Sequence, residues 1–234
     1  MQVICTLILE VIKAGSSKYL ISVDEKTGIQ ALERIHADQP AVKGAARRLE
    51  YEYERNGTTT LMASQEVATG KVLYHRLHPT RKEEDFLAFI KGTVDQLPPR
   101  AEVILLADQL NTHMSASLVE WVAEQTGFSG DLGKKNYKGI LKNMESRRAF
   151  LETSEHRIRF LYTPKHCSWL NPIENWFSKL ERHVIRYGNF PSVEVLERKI
   201  EGYIGYYNRC LFKALNWKFK GFTKGKELRS INYQ

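Results

Sequence analysis

Residues 102–113 read EVILLADQLNTH. Val103 through Ala107 are apolar without interruption, and Asp108 closes the run. A strand with one wet face alternates apolar and polar side chains. An unbroken apolar run of strand length is expected where a sheet is covered on both faces. The flanking stretches supply the cover. Upstream, EEDFLAFIKGTVDQL (83–97) carries Phe86, Leu87, Ile90, Val94 and Leu97 at helical spacing and is stopped by Pro98-Pro99. Downstream, SASLVEWVAEQTG (115–127) reads as a second helix, with Ser115 as its cap and Gly127 as its stop.

Working outward, HRIRFLYTP (156–164) is a further strand, ended by Pro164, and TPKHCSWLNPIENWFSKL (163–180) leads into a third helix. Its stripe is Ile173, Trp176, Phe177, Leu180, Val184 and Tyr187, so Trp176 and Phe177 are expected in the core, and Trp169 with them. Asn171 is a favoured N-cap, Pro172 suits the first helical position, and Glu174 then falls in the first turn. Pro191-Ser192 opens a fourth helix with Val193, Leu196, Ile200 and Tyr203 on one face. The first third is of another kind. Ile4, Leu7, Ile8, Val11 and Ile12 space as a short helix ended by Gly15. YLISVDEKTGIQAL (19–32) then reads as strand, Lys26-Thr27-Gly28 turn, strand. Residues 36–50 read as a basic loop, and YEYERNGTTTLMASQEVATGKVLYHRL (51–77) as strands with turn signals at Asn56-Gly57 and Thr69-Gly70. The Gly- and Lys-rich stretch 127–148 reads as an irregular insertion. A meander followed by alternating strands and helices predicts an α/β protein with a mixed sheet flanked by helices.

The chain has 234 residues, 35 Lys and Arg against 27 Asp and Glu, and a net charge of +8, which suits a polyanionic partner such as nucleic acid. Cys5, Cys167 and Cys210 are too scattered for a metal pair or a disulfide framework, consistent with a reducing cytosol. The opening MQVICTLILEVIKAG is interrupted by Glu10 and Lys13, and we read in it no signal peptide and no membrane span.

Three acids stand out by position. Asp24 is expected to end the first strand, Asp108 ends the buried one, and Glu174 opens the helix after the last strand. In α/β sheets functional groups gather at the carboxyl ends of strands and the helix starts beside them. Carboxylates without a His/Cys cluster suit a hard ion, Mg²⁺ or Mn²⁺, and two such ions can drive phosphodiester chemistry. Singly, each acid also has a plain role: Asp24 in a turn, Asp108 bonded to loop N–H groups, Glu174 in a capping box. Glu25, next to Asp24, is expected to point to the other face of the strand.

The ordered motifs VDEKTGIQAL, RNGTTTL with TGKV, LLADQLNTH and YTPKHCSWLNPIENWFSKL resemble those of a DDE transposase. More narrowly, they resemble the insertion-sequence 630 group of the mariner superfamily, from about Tyr19 to Trp217. The resemblance implies a ribonuclease H-like domain with a mixed five-stranded sheet, two divalent ions (Mg²⁺, with Mn²⁺ substituting) and cut-and-paste transposition of double-stranded DNA. It implies Asp24, Asp108 and Glu174 as catalytic metal ligands, a homodimer or higher assembly on DNA, and a prokaryotic, cytoplasmic, nucleoid-associated protein. Asn111, His113, Lys134, Lys135, Lys165 and His166 are the candidate DNA contacts, with Asn111 and His113 alternatively orienting a ligand. On this reading residues 1–18 are a helical remnant or linker, 19–210 the catalytic domain, and 211–234 a basic tail. Only 23 residues precede Asp24, too few for a three-helix recognition module, so a separate helix-turn-helix part is expected. Asp108 and Glu174 lie 66 positions apart, a spacing widened by the insertion.

Overall fold

The computed structural model describes residues 1–13, 18–37, 39–48 and 50–220. Five strands form one sheet: β1 (Lys18–Arg34), β2 (Tyr53–Glu66), β3 (Val72–His78), β4 (Glu102–Ala107) and β5 (Ile158–Tyr162). Their order is β3-β2-β1-β4-β5, antiparallel from β3 to β1 and parallel from β1 to β5, so the sheet is mixed as expected. The helices are α1 (Gln2–Ile12), α2 (Glu83–Val94), α3 (Ala116–Thr126), α4 (Met144–Leu151), α5 (Ile173–Leu180) and α6 (Val193–Tyr206).

The alternation of side chains along β1 and β4 divides the core. Ile21, Val23, Val103, Leu105 and Ala107 pack with α2, α3 and α4, whereas Leu20, Ile104 and Leu106 pack with α1. The latter face continues through Ile29, Ala31, Leu61 and Ala63 to α5 and α6. Phe86, Phe89 and Ile90 of α2 are fully buried, each contributing about 1.5–3 kcal/mol relative to exposure. Ser115 caps α3 by accepting from the Leu118 N–H, and Gly127 ends it in the left-handed region, both as expected. Ser192 caps α6 in the same way, accepting from the Val195 N–H.

Several expectations are corrected. Lys26-Thr27-Gly28 is no turn: β1 runs through it as one 17-residue strand with a bulge between Lys26 and Ile29, where Gly28 takes φ 64°. Asp24 is therefore inside β1 rather than at its end. Asn56-Gly57 is likewise inside β2, at a second bulge opposite Gln30 and Leu32. The antiparallel partner strand pairs on either side of both sites, which outweighs the local turn preference. Thr69-Gly70 is a true turn between β2 and β3, with Gly70 at φ 79°. The insertion is not wholly irregular, because α4 starts within it on an Asn143–Ser146 capping box and runs on to Leu151. Tyr187 leaves the α5 stripe and is 52% exposed. A π-helical turn, Glu181–Ile185, follows α5 and rotates the later residues off the apolar face. Trp169 is 49% exposed rather than core, and the described part of the tail packs Leu215, Trp217 and Phe219 against the α1 cluster. Gly15 and residues 221–234 lie outside the described residues. Among those described, no helix is long and apolar enough to cross a membrane.

Asn171 does not cap α5. Its side chain turns to β1 instead, donating to the Val23 carbonyl at 3.0 Å and to Asp24 Oδ2 at 3.1 Å, while its Oδ1 accepts from the Ser22 hydroxyl. Ser22 Oγ accepts in turn from the Ile173 N–H at 2.9 Å, so a strand residue satisfies the start of the helix. Ser22→Ala should leave the buried Asn171 Oδ1 and Ile173 N–H unpaired and lower stability by about 2–4 kcal/mol. The exposed Ser178→Ala should stay within about 0.5 kcal/mol of the parent. Urea unfolding of both variants checks this, and equal effects would contradict the latch.

Candidate active site

Parallel pairing of β1 with β4 brings the first two acids together. Ser22 pairs with Leu106, so two steps further the same register sets Asp24 beside Asp108, where β4 has ended. Glu174 arrives from the first turn of α5, which the Ser22–Asn171 latch holds against β1. Asp108 acts on both other acids, and Glu174 acts on Asp24. Burial, with the charges of Asp108 and Glu174, pushes Asp24 up to about 7, against the pull of its hydrogen bond from the Glu25 N–H. Burial and Asp108 raise Glu174, while Lys26 lowers it. Asp108 is held below the usual carboxylate range: burial opposes ionisation, but the His113 hydrogen bond, the His113 charge and the Leu110 N–H outweigh it.

His113 lies on a 3₁₀ turn, Asn111–Met114, and is fully buried. It stacks on Phe86 with ring centroids 4.0 Å apart, and its Nδ1 is 2.7 Å from Asp108 Oδ1. Nε2 faces Glu25 Oε1 at 3.5 Å, too long for a good hydrogen bond and short enough for a strong charge contact. Burial alone would lower the imidazole, but the Asp108 hydrogen bond and the Glu25 contact push it up to about 9. His113 is thus a correction as a DNA contact: enclosed by protein, it cannot reach a phosphate, and its ring instead holds Asp108. Glu25 points to the face opposite Asp24, as the alternation of β1 requires.

Lys165 and His166 are exposed and line a cleft of about 290 Å³ together with Asp108, Gln109 and Thr163. His166 has φ 60°, an uncommon conformation for a non-glycine residue. A second cleft of about 390 Å³ holds Glu174 with Trp169, Asn175 and Trp217. Asn111, Lys134 and Lys135 are exposed and line neither cleft. Lys135 instead pairs with Glu83 at 3.4 Å. The sequence reading passed over Ser22, and it set Glu25 aside. The signal for both was position: Ser22 is polar on the apolar face of a buried strand, and Glu25 sits where the opposite face should be apolar.

The donor set fits a hard divalent ion. Asp24 and Glu174, which burial and the charge of Asp108 hold toward neutrality, gain most from a nearby cation. Among the described residues no group of three or more His, Cys, Asp or Glu side chains is placed so as to hold a metal ion by itself. Mg²⁺ is ordinarily held by one or two carboxylates and completed by waters and substrate phosphates.

A family model described as DDE superfamily endonuclease matches residues 19–197. No curated protein matches. Among solved structures, the catalytic domain of Mos1 mariner transposase aligns over 89% of this chain and 83% of its own, with a TM-score of 0.50 at 14% identity. The Mos1 strand transfer complex aligns with a TM-score of 0.54 at 15% identity, and the Mos1 paired end complex with Mn with 0.55 at 15%. The chain covers 55% and 56% of the transposase chains in those two complexes. The mixed five-stranded sheet with helices on both faces is the ribonuclease H-like fold of that catalytic domain. By the extent of the family match, this chain belongs to the DDE superfamily endonucleases.

Proposed function

We propose that the protein is the catalytic domain of a transposase of the insertion-sequence 630 group, cutting DNA strands and joining them to a target with divalent metal ions. The observation that supports the reading is that Asp24, from β1, lies within electrostatic reach of both Asp108, just past β4, and Glu174, in the first turn of α5. Mos1 complexes with a transposon end and with Mn are among the structures of similar fold, which agrees with DNA as substrate and a divalent ion as cofactor.

The three acids would hold Mg²⁺, or Mn²⁺ in its place. When bound, a pair of such ions lowers the pKa of an attacking water or 3′-hydroxyl and neutralises charge on the leaving oxygen. The chain's own groups do the rest. Asn171 Nδ2 fixes Oδ2 of Asp24, and His113 fixes Oδ1 of Asp108, so neither carboxylate swings freely. Lys165 and His166, beside Asp108 in its cleft, sit where they can hold a backbone phosphate. Asn111, Lys134 and Lys135 would touch DNA further out. The net charge of +8 supplies long-range attraction to the duplex. Assembly as a dimer on DNA, partnership with a helix-turn-helix part and residence at a prokaryotic nucleoid complete the proposal. The limits stay at 19–210 for the catalytic unit, with residues 1–18 and 211–234 flanking it.

A plasmid-nicking assay with Mg²⁺ or Mn²⁺, followed by joining of a duplex with a free 3′-hydroxyl to plasmid, tests the reading. Asp24→Asn, Asp108→Asn and Glu174→Gln should each bring both products to background. Nicking without joining would instead favour a simple ribonuclease H-like nuclease. Glu174→Gln should also leave the metal-free melting temperature unchanged or slightly raised, because a carboxylate whose ionisation is disfavoured is replaced by a neutral group. Its Mn²⁺-induced rise should shrink. A variant that loses metal-free stability yet keeps its Mn²⁺ response would mark Glu174 as structural.

Asp24 gives the pH dependence. Its folded pKa, about 7, lies above that of an unfolded aspartate, so its contribution to metal-free stability falls as pH rises through that interval. A metal must displace the proton it retains. The melting-temperature gain from Mn²⁺ should therefore grow between about pH 6 and about pH 8. Asp24→Asn should flatten that growth, as thermal scans across the series would show.

A further inference from the structure

Glu25 and His113 are both buried within a site built of acids, yet neither is one of the three ligands just proposed. Glu25 is 3% exposed in its side chain and His113 0%, and both sit on the face of β1 turned away from Asp24. Isolated burial of such groups is costly, so the pair needs a reason to be where it is. The contacts supply one. The Glu25 N–H donates to Asp24 Oδ1 at 2.8 Å, the Glu25 carboxylate meets His113 Nε2, and His113 Nδ1 meets Asp108 Oδ1. Two of the proposed ligands are thereby joined through a single buried path.

From this geometry we infer that Glu25 and His113 form a positioning pair, fixing the carboxylate of Asp108 for the cation. The inference rests on the metal reading given above. The ring cannot turn away: Phe86 stacks on it, and the Tyr162 hydroxyl donates to the His113 carbonyl at 2.7 Å, pinning the turn that carries it. Asp108 has a side chain 41% exposed, and its Oδ1 accepts from both His113 and the Leu110 N–H. Among the described residues both side-chain hydrogen bonds fall on that one oxygen, which leaves Oδ2 to the cleft. An outer partner that occupies one oxygen and aims the other commonly governs metal affinity by about 10–100-fold.

Asparagine and glutamine at position 113 separate positioning from packing. Asparagine places its amide near the imidazole δ position and can still donate to Asp108, whereas glutamine reaches the ε position beside Glu25 and leaves Asp108 without its partner. Both lose the same stacking on Phe86, so their metal-free melting temperatures should fall together. Mn²⁺ affinity of the DNA-free protein, read from the electron paramagnetic resonance signal of the free ion, should part them. His113→Gln should bind about 10–100-fold more weakly than the parent, and His113→Asn within about threefold of it. Glu25→Gln, nearly the same shape, should weaken Mn²⁺ by a smaller factor at a lowered melting temperature, since it removes a carboxylate that offsets the buried imidazolium, and it decides the matter if neither His113 variant folds. Equal affinities in the asparagine and glutamine variants, or an unchanged Glu25→Gln, overturn the positioning role while leaving the metal site standing. A parent protein that binds no Mn²⁺ overturns both.

Discussion

Like charges brought together in a half-buried place repel, and the arrangement of this molecule follows from holding three of them still. Asp24 and Asp108 end up side by side because β1 and β4 run parallel in a fixed register. Glu174 joins them because Ser22 and Asn171 draw the first turn of α5 onto β1. Each acid has a counterweight: Asn171 and a backbone N–H on Asp24, His113 on Asp108, Lys26 near Glu174. The compensation is uneven. Asp108 is held ionised, whereas Asp24 and Glu174 are held toward neutrality. Coulomb attraction to a divalent ion would bring all three to full charge, which is the part given to Mg²⁺ or Mn²⁺ in the function proposed above.

The sheet divides the work between its faces. On one, Asp24 meets α5 and the latch residues; on the other, Glu25 meets His113 and α2 through Phe86. Adjacent residues of one strand point in opposite directions, so the pair Asp24-Glu25 reaches both layers within a single peptide. That economy depends on β1 being continuous. Had the chain turned at Lys26-Thr27-Gly28, pairing with β2 would have ended just beyond Asp24, and the strand's carboxyl-terminal half would not support α5 and α6 through Ile29 and Ala31.

Much of this was legible in the residues. The uninterrupted run Val103–Ala107 announces a strand covered on both faces, and helices do cover it on both. The helical stripes of α2, α3 and α6 are written in 3.6-residue spacing, and Asp108 and Glu174 stand at element boundaries where α/β proteins keep their chemistry, whereas Asp24 lies inside β1. What failed was local and physical. Glycine after a polar pair reads as a turn, but the same freedom at positive φ also makes a bulge, and only the partner strand decides which. Asn171 has the chemistry of a helix cap, yet its amide is worth more bridging a buried serine and a buried carboxylate than capping a helix whose first N–H is already satisfied.

His113 shows why composition alone misleads. A histidine in a polar loop after an acidic residue reads as a group for solvent or phosphate. In the folded chain Phe86 from α2 closes over it, and Glu25 from β1 approaches its far nitrogen. Asp108 is a near neighbour in the chain, but Glu25 and Phe86 are distant, so no local pattern could report the enclosure. A solvent-exposed imidazole would lose little by rotating and would fix Asp108 loosely. Enclosure removes that freedom before any cation or DNA strand arrives, so the conformational cost of ordering Asp108 is met during folding rather than at binding. Burial of the charge opposes folding, and the hydrogen bond and flanking carboxylates offset it. Asp108 is thereby held rigidly, while Lys165 and His166, which line the same cleft, stay exposed.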